Sequence, residues 1–129
     1  MVLFGKNNSQ ANDIRGLGRK GQELCEKFLK KQGFKLLERN FLCKTGEIDL
    51  IMAAPDGAVI FIEVKTRTTE NFAEAEGAIT AAKKSRMTRA AKFFVRKHRL
   101  EDFPLRSDVM IVIIGEKGKP EIRHYPSAF

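Results

Sequence analysis

The sequence predicts an α/β domain in which a mixed β-sheet is covered by a helix on each face. Two apolar runs flank the turn Pro55-Asp56-Gly57, which is typical of a β-hairpin. The second run, Ala58 to Lys65, is apolar on both faces until Glu63, as expected for a central strand covered on both sides. Segments with helical apolar spacing precede and follow these strands. The length of 129 residues suits one domain with its own core.

The N-terminal part of the chain predicts a flexible arm and then a helix. Residues 1–16 are polar and aperiodic, so we expect an arm ahead of a single domain at 17–129. A helix is predicted from Gly18 to Gln32, and Gly33 is suited to end it. Its apolar positions repeat at helical spacing and include Leu24, Cys25, Phe28 and Leu29.

Three strands are predicted after this helix. Lys35 to Glu38 is typical of a short strand, Glu47 to Ala53 of a second, and Ala58 to Lys65 of a third. The last two should pair as a hairpin because only a short turn separates them.

The remaining chain predicts a second helix and two further strands. A loop from Thr66 to Glu76 should lead into a helix from Ala78 to His98. A strand is then expected from Ser107 to Ile114 and, after a turn at Glu116 to Gly118, another from Glu121 to Tyr125. The predicted order is α-β-β-β-α-β-β, with no internal repeat and no linker.

Positive charge is concentrated in one segment. The chain has 24 basic and 16 acidic residues, a net charge of +8 and a pI of about 9.7. Eight of the basic residues and no acid lie between Gly77 and Leu100, so the other 16 bases are matched by the 16 acids. Such a patch attracts phosphate backbones, although a solvated helix face that only keeps the protein soluble remains an alternative.

Several protein classes do not fit the sequence. Cys25 and Cys43 are far apart and form no C-x-x-C pair, which argues against a zinc site or a disulfide framework. The first residues lack the apolar run of a signal peptide. The longest apolar stretch, Ala58 to Ile62, is too short to cross a bilayer, so we expect a soluble, cytoplasmic protein without a membrane partner.

Charged residues interrupt two of the predicted strands. Asp49 lies among Ile48, Leu50 and Ile51, and Glu63 and Lys65 end the third strand. Because side chains alternate along a strand, Glu63 and Lys65 share one face. Hairpin geometry can make Asp49 and Glu63 cross-strand neighbours, and Glu47 shares the face of Asp49.

Acids at the edge of a core are costly unless they are compensated. An ion pair between Lys65 and either Asp49 or Glu63, without a further role, is one explanation. A divalent metal between Asp49 and Glu63 is the other, since Mg²⁺ or Mn²⁺ is held by carboxylate oxygens and a substrate phosphate. Such an ion activates water for attack on a phosphodiester, and a nearby lysine assists.

The second helix adds candidate residues to the possible metal site and to the basic surface that could bind nucleic acid. Met87, Ala90, Ala91 and Phe94 form a stripe toward the sheet, and Lys83 lies on the same stripe one turn earlier. Lys83 could therefore meet the acids or a phosphate, or it could be a lysine whose stem merely covers apolar surface. The basic residues that we expect to contact nucleic acid are Lys83, Lys84, Arg86, Arg89, Lys92 and Arg96.

Two motifs carry a resemblance to a known family. Gly46-Glu47-Ile48-Asp49-Leu50-Ile51, followed by Phe61-Ile62-Glu63-Val64-Lys65-Thr66-Arg67, resembles the YraN-like family of uncharacterised bacterial proteins, over about Gly18 to Ile114. The family belongs to the restriction-endonuclease-like superfamily and is similar to archaeal Holliday-junction resolvases. The resemblance implies a restriction-endonuclease-like mixed sheet, with Asp49 and Glu63 as metal-binding acids and Lys65 as the lysine of a D…(D/E)-x-K core.

One position departs from the family pattern. Relatives usually carry a glutamate after the glycine of the first helix, where this chain has Gly21-Gln22. Glu23 does not replace it because it points about 100° further round the helix. Gln22 keeps a carbonyl oxygen but no charge, so we expect it to support the metal site only weakly.

These features favour a Mg²⁺- or Mn²⁺-dependent endonuclease acting on DNA, with branched or repair-related DNA among the candidate substrates. The alternative is a nucleic-acid-binding module of the same fold with weak or no catalysis. A protein-interaction scaffold would leave Asp49, Glu63 and Lys65 unexplained. His98 and His124 fit no metal-ligand spacing and are expected at the surface. The sequence leaves the choice of DNA or RNA and the oligomeric state open, with a homodimer among the alternatives.

Overall fold

The computed structural model describes residues 2–68, 77, 79–115 and 118–129, with the backbone alone for residues 2–15. Its elements follow the predicted order of helices and strands. They are α1 (Val2–Lys31), β1 (Lys35–Cys43), β2 (Gly46–Ala53), β3 (Val59–Arg67), α2 (Ala81–His98), β4 (Leu105–Ile113) and β5 (Glu121–Tyr125).

The five strands form one mixed sheet in the order β1-β2-β3-β4-β5. The first three strands are an antiparallel meander, β4 lies parallel to β3, and β5 returns antiparallel to β4. Helix α2 makes the crossover that a parallel pair requires. The predicted hairpin between β2 and β3 is confirmed, and β3 is the central strand, as its apolar sequence predicted.

Each face of the sheet packs against one helix. On one face, Cys25 and Leu29 of α1 pack on residues such as Leu50 and Ile62. On the other, the stripe predicted for α2 is buried against the sheet, where the ring of Phe94 meets the edges of Phe41 and Phe61. The predicted arrangement of a helix on each face is therefore confirmed.

Several element boundaries differ from the predictions. Helix α1 begins at Val2 instead of Gly18. The flexibility expected for residues 1–16 stays a prediction, because the structure does not describe Met1 or the side chains of residues 2–15. Strand β1 extends to Cys43 because Arg39 to Cys43 continue the ladder with β2, where Phe41 is buried while Arg39 and Asn40 are exposed at this edge of the sheet.

The region around the predicted loop also differs. Thr66 and Arg67 belong to β3 because the parallel ladder with β4 continues through them. Residues 69–76, Ala78 and the turn residues Glu116 and Lys117 lie outside the described part of the chain. Helix α2 starts at Ala81, since the hydroxyl of Thr80 accepts a hydrogen bond from the backbone N–H of Lys83 and caps the helix.

Two features of α1 depend on how it packs on the sheet. Phe28 is one of the apolar positions of the predicted helix and was expected in the core; this is wrong, since 36% of its surface is exposed and the buried face of α1 runs through Cys25 and Leu29. Gly21 is required by packing: a Cβ atom there would lie 1.9 Å from the hydroxyl oxygen of Thr66. The glycine thus lets α1 approach the end of β3.

Candidate active site

The site lies where β2 separates from β3. Regular pairing between the two strands runs from Ala53↔Val59 to Leu50↔Ile62 and is not found beyond this point in the described chain. There the carboxylate of Asp49 accepts a hydrogen bond from the backbone N–H of Val64, at 2.8 Å. The side chain of Asp49 thus replaces a strand partner and lies beside Glu63.

Glu63 is a buried carboxylate between two lysines. Only 4% of its surface is exposed. Lys83, at the start of α2, forms an ion pair with its Oε1 atom, and the Nζ atom of Lys65 lies 3.8 Å from the same oxygen. Lys83 was expected to point inward from its helix stripe, and the structure shows that it does.

The two carboxylates interact strongly. Burial and the negative charge of Glu63 raise the pKa of Asp49 to about 7, although the Val64 N–H and Lys83 act in the opposite direction. Glu47 is exposed and adds a smaller repulsion that also raises this pKa. Asp49 is therefore an acid whose negative charge is only partly compensated in this structure.

The two lysines respond differently to the same surroundings. Burial and the neighbouring charge of Lys83 lower the pKa of Lys65 to about 8. Burial also opposes the charge of Lys83, but its contact with Glu63 outweighs burial and raises its pKa. At neutral pH, Lys83 is thus a stable counter-ion for Glu63, while Lys65 is close to releasing a proton.

The carboxylates of Asp49 and Glu63 are the candidate ligands of the expected divalent metal ion. No group of three or more His, Cys, Asp or Glu side chains is arranged to hold a metal within the described residues. Asp49 and Glu63 supply two carboxylates, which fits Mg²⁺ because this ion is often held by one or two carboxylates, with waters and substrate phosphates completing its shell. The repulsion that raises the pKa of Asp49 is what a bound cation would relieve.

Gln22 does not contact the two acids. It is half-buried and lines a groove beside β1 that includes Glu26 and Arg39. No hydrogen bond joins it to Asp49 or Glu63 in the described structure, so its supporting role stays a prediction.

The predicted nucleic-acid surface is on the outer side of α2. Arg86, Arg89, Lys92 and Arg96 are exposed there, whereas Lys83 and Lys84 are half-buried. Lys83, at the start of the same helix, contacts Glu63, so the exposed cations and one contact of the acid pair are carried by a single helix. Across the described residues, neither helix is long and apolar enough to cross a membrane.

A second buried charged cluster was missed by the sequence analysis. Asp108 is fully buried. Its carboxylate accepts two hydrogen bonds from Arg106, from Nε and Nη2 at 2.9 Å each, and one from the backbone N–H of Ser127 at 3.0 Å. A further hydrogen bond, of 2.6 Å, joins it to Nε2 of His124. His124 was expected at the surface, and this is wrong: its side chain is 17% exposed because β5 pairs with β4. His98 is exposed, as predicted.

The sequence signal for this cluster was an aspartate ahead of an apolar run, Val109 to Ile113. Arg106 lies only two residues before Asp108, but His124 and Ser127 lie 16 and 19 residues further along the chain.

Comparison with known proteins identifies relatives over most of the chain. The profile of the uncharacterised protein family UPF0102 matches residues 21–112. A UPF0102 protein of Pelobacter propionicus is 36% identical over 118 residues, which cover 91% of this chain and 84% of the relative. The corresponding protein of Trichlorobacter lovleyi is 33% identical over 129 residues, covering 100% and 97%. That of Caldicellulosiruptor saccharolyticus is 39% identical over 105 residues, covering 81% and 88%.

Proposed function

The chain belongs to the uncharacterised protein family UPF0102, and we propose that it is a metal-dependent, nuclease-like protein that hydrolyses phosphodiester bonds in DNA. The observation that carries the proposal is the pair of crowded carboxylates, Asp49 and Glu63, at the point where β2 leaves β3, with Lys65 and Lys83 beside them.

In this proposal Asp49 and Glu63 hold a Mg²⁺ or Mn²⁺ ion. The ion supplies Lewis-acid activation of water and of the phosphodiester. The low solvent exposure of Glu63 keeps bulk water from competing for the carboxylates.

The two lysines have separate roles. The pKa of Lys65, lowered to about 8, leaves a fraction of this amine neutral at physiological pH. That fraction can accept a proton from the attacking water. Lys83 balances the charge of Glu63 in the free protein and is placed to hold a phosphate of the substrate when a metal takes over that balance.

The basic face of α2 supports DNA as the substrate. Its exposed cations lie on the helix that carries Lys83 into the site. Phosphate contacts of this kind bind strands of any sequence, so the specificity would depend on the shape of the DNA and not on its base order. Branched and repair-related DNA are the candidate substrates.

The second candidate is a nucleic-acid-binding module with little or no catalysis. One observation favours it: Gln22, at the position where the family resemblance implies a glutamate, is uncharged, lines a groove with Glu26 and Arg39, and makes no hydrogen bond to Asp49 or Glu63 within the described residues. A binding module would contact nucleic acid through the basic face of α2 but would not hydrolyse phosphodiester bonds.

A cleavage assay tests the proposal directly. Labelled linear, single-stranded and branched DNAs are incubated with the protein and Mg²⁺ or Mn²⁺, with EDTA as the metal-free reference. We expect cleavage that EDTA stops and that Asp49→Ala lowers by about 10³-fold, because one of the two proposed ligands of the metal ion is lost, and with it the ion that would stabilise the negative charge developing on the phosphate. The matched control is Asp102→Ala, an exposed aspartate, which should cleave like the natural protein.

Thermal unfolding separates the two candidates. Mn²⁺ at about 100 times its Kd should stabilise the natural protein by about 2.7 kcal/mol, and it should not stabilise Asp49→Ala. Binding of DNA without metal-dependent cleavage, and no thermal shift with Mn²⁺, would favour the binding module.

A further inference from the structure

A cavity lies next to the proposed site, between α2 and the first residues of β4. Its volume is about 450 Å³, within the range of small-molecule sites. The ring of Phe61 forms its floor, Ala91 and Val95 line the α2 side, and Leu105 and Phe129 line the opposite side. Phe61 and Glu63 are two residues apart in β3, so the cavity is on the sheet face that carries Glu63.

Three cations surround this apolar interior. Lys92 and Arg96 come from α2 and Arg106 from β4, while Glu101 is the one acid among the lining residues. A ligand with an apolar part and an anionic group would match both the apolar walls and the cations of the cavity. A small apolar molecule would leave the cations unused, and a free inorganic anion would leave the apolar walls unused.

Asp108 holds two walls of the cavity in place. It binds Arg106 through two hydrogen bonds, which use two of the five N–H donors of the guanidinium and leave three for another anion. It also accepts the N–H of Ser127, and the next N–H, of Ala128, is donated to the carbonyl oxygen of Ser107. The segment 127–129, which includes Phe129, is thereby fixed against β4.

We propose that this cavity holds one unpaired nucleotide of a nucleic-acid strand, with its base between the apolar walls and its phosphate at Lys92, Arg96 and Arg106. Base stacking on aromatic and apolar side chains tolerates any base, so the cavity would accept a nucleotide whatever its base. Lys92 follows Lys83 by nine positions, about 14 Å along α2, so the nucleotide would lie a short distance along the nucleic-acid strand from Glu63. The inference rests on the proposed function for the nature of the strand.

The test compares two DNA duplexes that differ in a single base. One carries a bulged thymidine, and the other carries an abasic sugar at the same position. If the base enters the cavity, the natural protein should bind the thymidine probe about tenfold more tightly. Free thymidine monophosphate should displace the thymidine probe at high concentration, since it carries the same base and phosphate. Equal affinity for the two probes would overturn the inference.

Matched variants locate the effect. Lys92→Ala/Arg96→Ala removes two cations of the cavity, and Arg89→Ala/Lys97→Ala removes two exposed cations of the same helix outside it. Both should weaken binding through lost charge, but only the first should remove displacement by thymidine monophosphate. Ala91→Leu, which fills the apolar part, should abolish the tenfold preference. A tenfold preference that persists in Ala91→Leu, or displacement by thymidine monophosphate that persists in Lys92→Ala/Arg96→Ala, would place the nucleotide outside this cavity and overturn the inference.

The outcomes for the cavity and for catalysis are separable. A tenfold preference that persists in Glu63→Gln, together with no cleavage by the natural protein, would support the cavity and reject the hydrolysis. Cleavage by the natural protein without any preference between the probes would reject the cavity and leave the hydrolysis standing.

Discussion

One sheet carries two acidic groups with different surroundings: the buried Asp108 on β4, and the pair formed by the half-buried Asp49 on β2 and the buried Glu63 on β3. Asp108 receives four hydrogen bonds, from Arg106, His124 and a backbone N–H, and these hold its pKa below the usual range although burial acts against them. Asp49 has one backbone donor and a negative neighbour, and its pKa rises to about 7.

This difference separates a structural acid from a reactive one. A carboxylate whose partners are complete gains nothing from a further cation and stabilises the fold where it is. A carboxylate that is crowded by another acid is destabilised until a cation joins it, as expected for a metal or substrate site. The comparison therefore predicts opposite effects when each acid is neutralised.

The largest effect is expected at Asp108. Asp108→Asn removes the charge that Arg106 and His124 share in the interior, so we expect a loss of about 3 kcal/mol in the free energy of unfolding. Urea denaturation measures it. Asp102→Asn, at an exposed position, is the control and should change stability by less than about 0.5 kcal/mol. If Asp108→Asn were as stable as the control, Asp108 would not be the structural member of the comparison.

Neutralising Asp49 in a metal-free buffer should raise the stability of the protein, whereas neutralising Asp108 should lower it. Because its pKa is raised in the folded protein, the folded state holds its proton more tightly than the unfolded chain does. Stability should therefore fall as the pH rises from about 4 to 7. Asp49→Asn removes this penalty and should be more stable than the natural protein by about 2 kcal/mol at pH 8. Melting temperatures between pH 4 and 8, in EDTA, check this.

The pH dependence itself decides whether Asp49 is the reactive acid. The natural protein and Asp102→Asn should share the same slope, and Asp49→Asn should flatten it. Identical slopes in all three proteins would mean that Asp49 is compensated as fully as Asp108.

The smallest effect extends the comparison to Glu26, a buried acid paired with Arg39 and Lys30 at 2.6 Å each. The hydrogen bond from Arg39 lowers the pKa of Glu26 to about 2. Arg39 is largely exposed and solvent screens its charge, so Arg39→Ala should lower the free energy of unfolding at pH 7 only slightly, by less than either change above. Because the pKa of Glu26 is lower in the folded protein than in the unfolded chain, its ion pair stabilises the fold at pH values above 4.5. The cost of Arg39→Ala should therefore disappear as the pH falls from about 4.5 toward 2 and Glu26 takes up a proton.

Denaturation of Arg39→Ala at pH 7 and pH 3 measures that change, with Lys27→Ala, another exposed cation of α1, as the control. A cost that stays the same at both pH values would show that Arg39 acts through packing and not through the charge of Glu26.

Local patterns allowed the fold to be predicted. The turn at Pro55-Asp56-Gly57 and the flanking apolar runs predicted the β2–β3 hairpin, and helical spacing predicted the buried stripe of α2. Asp49 and Glu63 were noticed because charges are unusual in apolar strands, and the helix stripe placed Lys83 toward them. Each of these signals involves neighbours within a few residues, where alternation and helical periodicity are reliable.

Other features depended on pairing between distant parts of the chain. The second half of β1, Arg39 to Cys43, is a strand because it continues the ladder with β2, and Phe28 lies outside the core because of the way α1 packs on the sheet. His124 meets Asp108 only because β5 returns beside β4, which no periodicity of its own segment indicates.

The sequence by itself thus determined the order of elements, the helix on each face and the charged residues that needed an explanation. The tertiary structure alone decided how those charges are compensated: completely at Asp108, incompletely at Asp49. The physical reason is that the cost of a buried charge depends on the donors that surround it in space, and these come from strands and helices far apart in the chain.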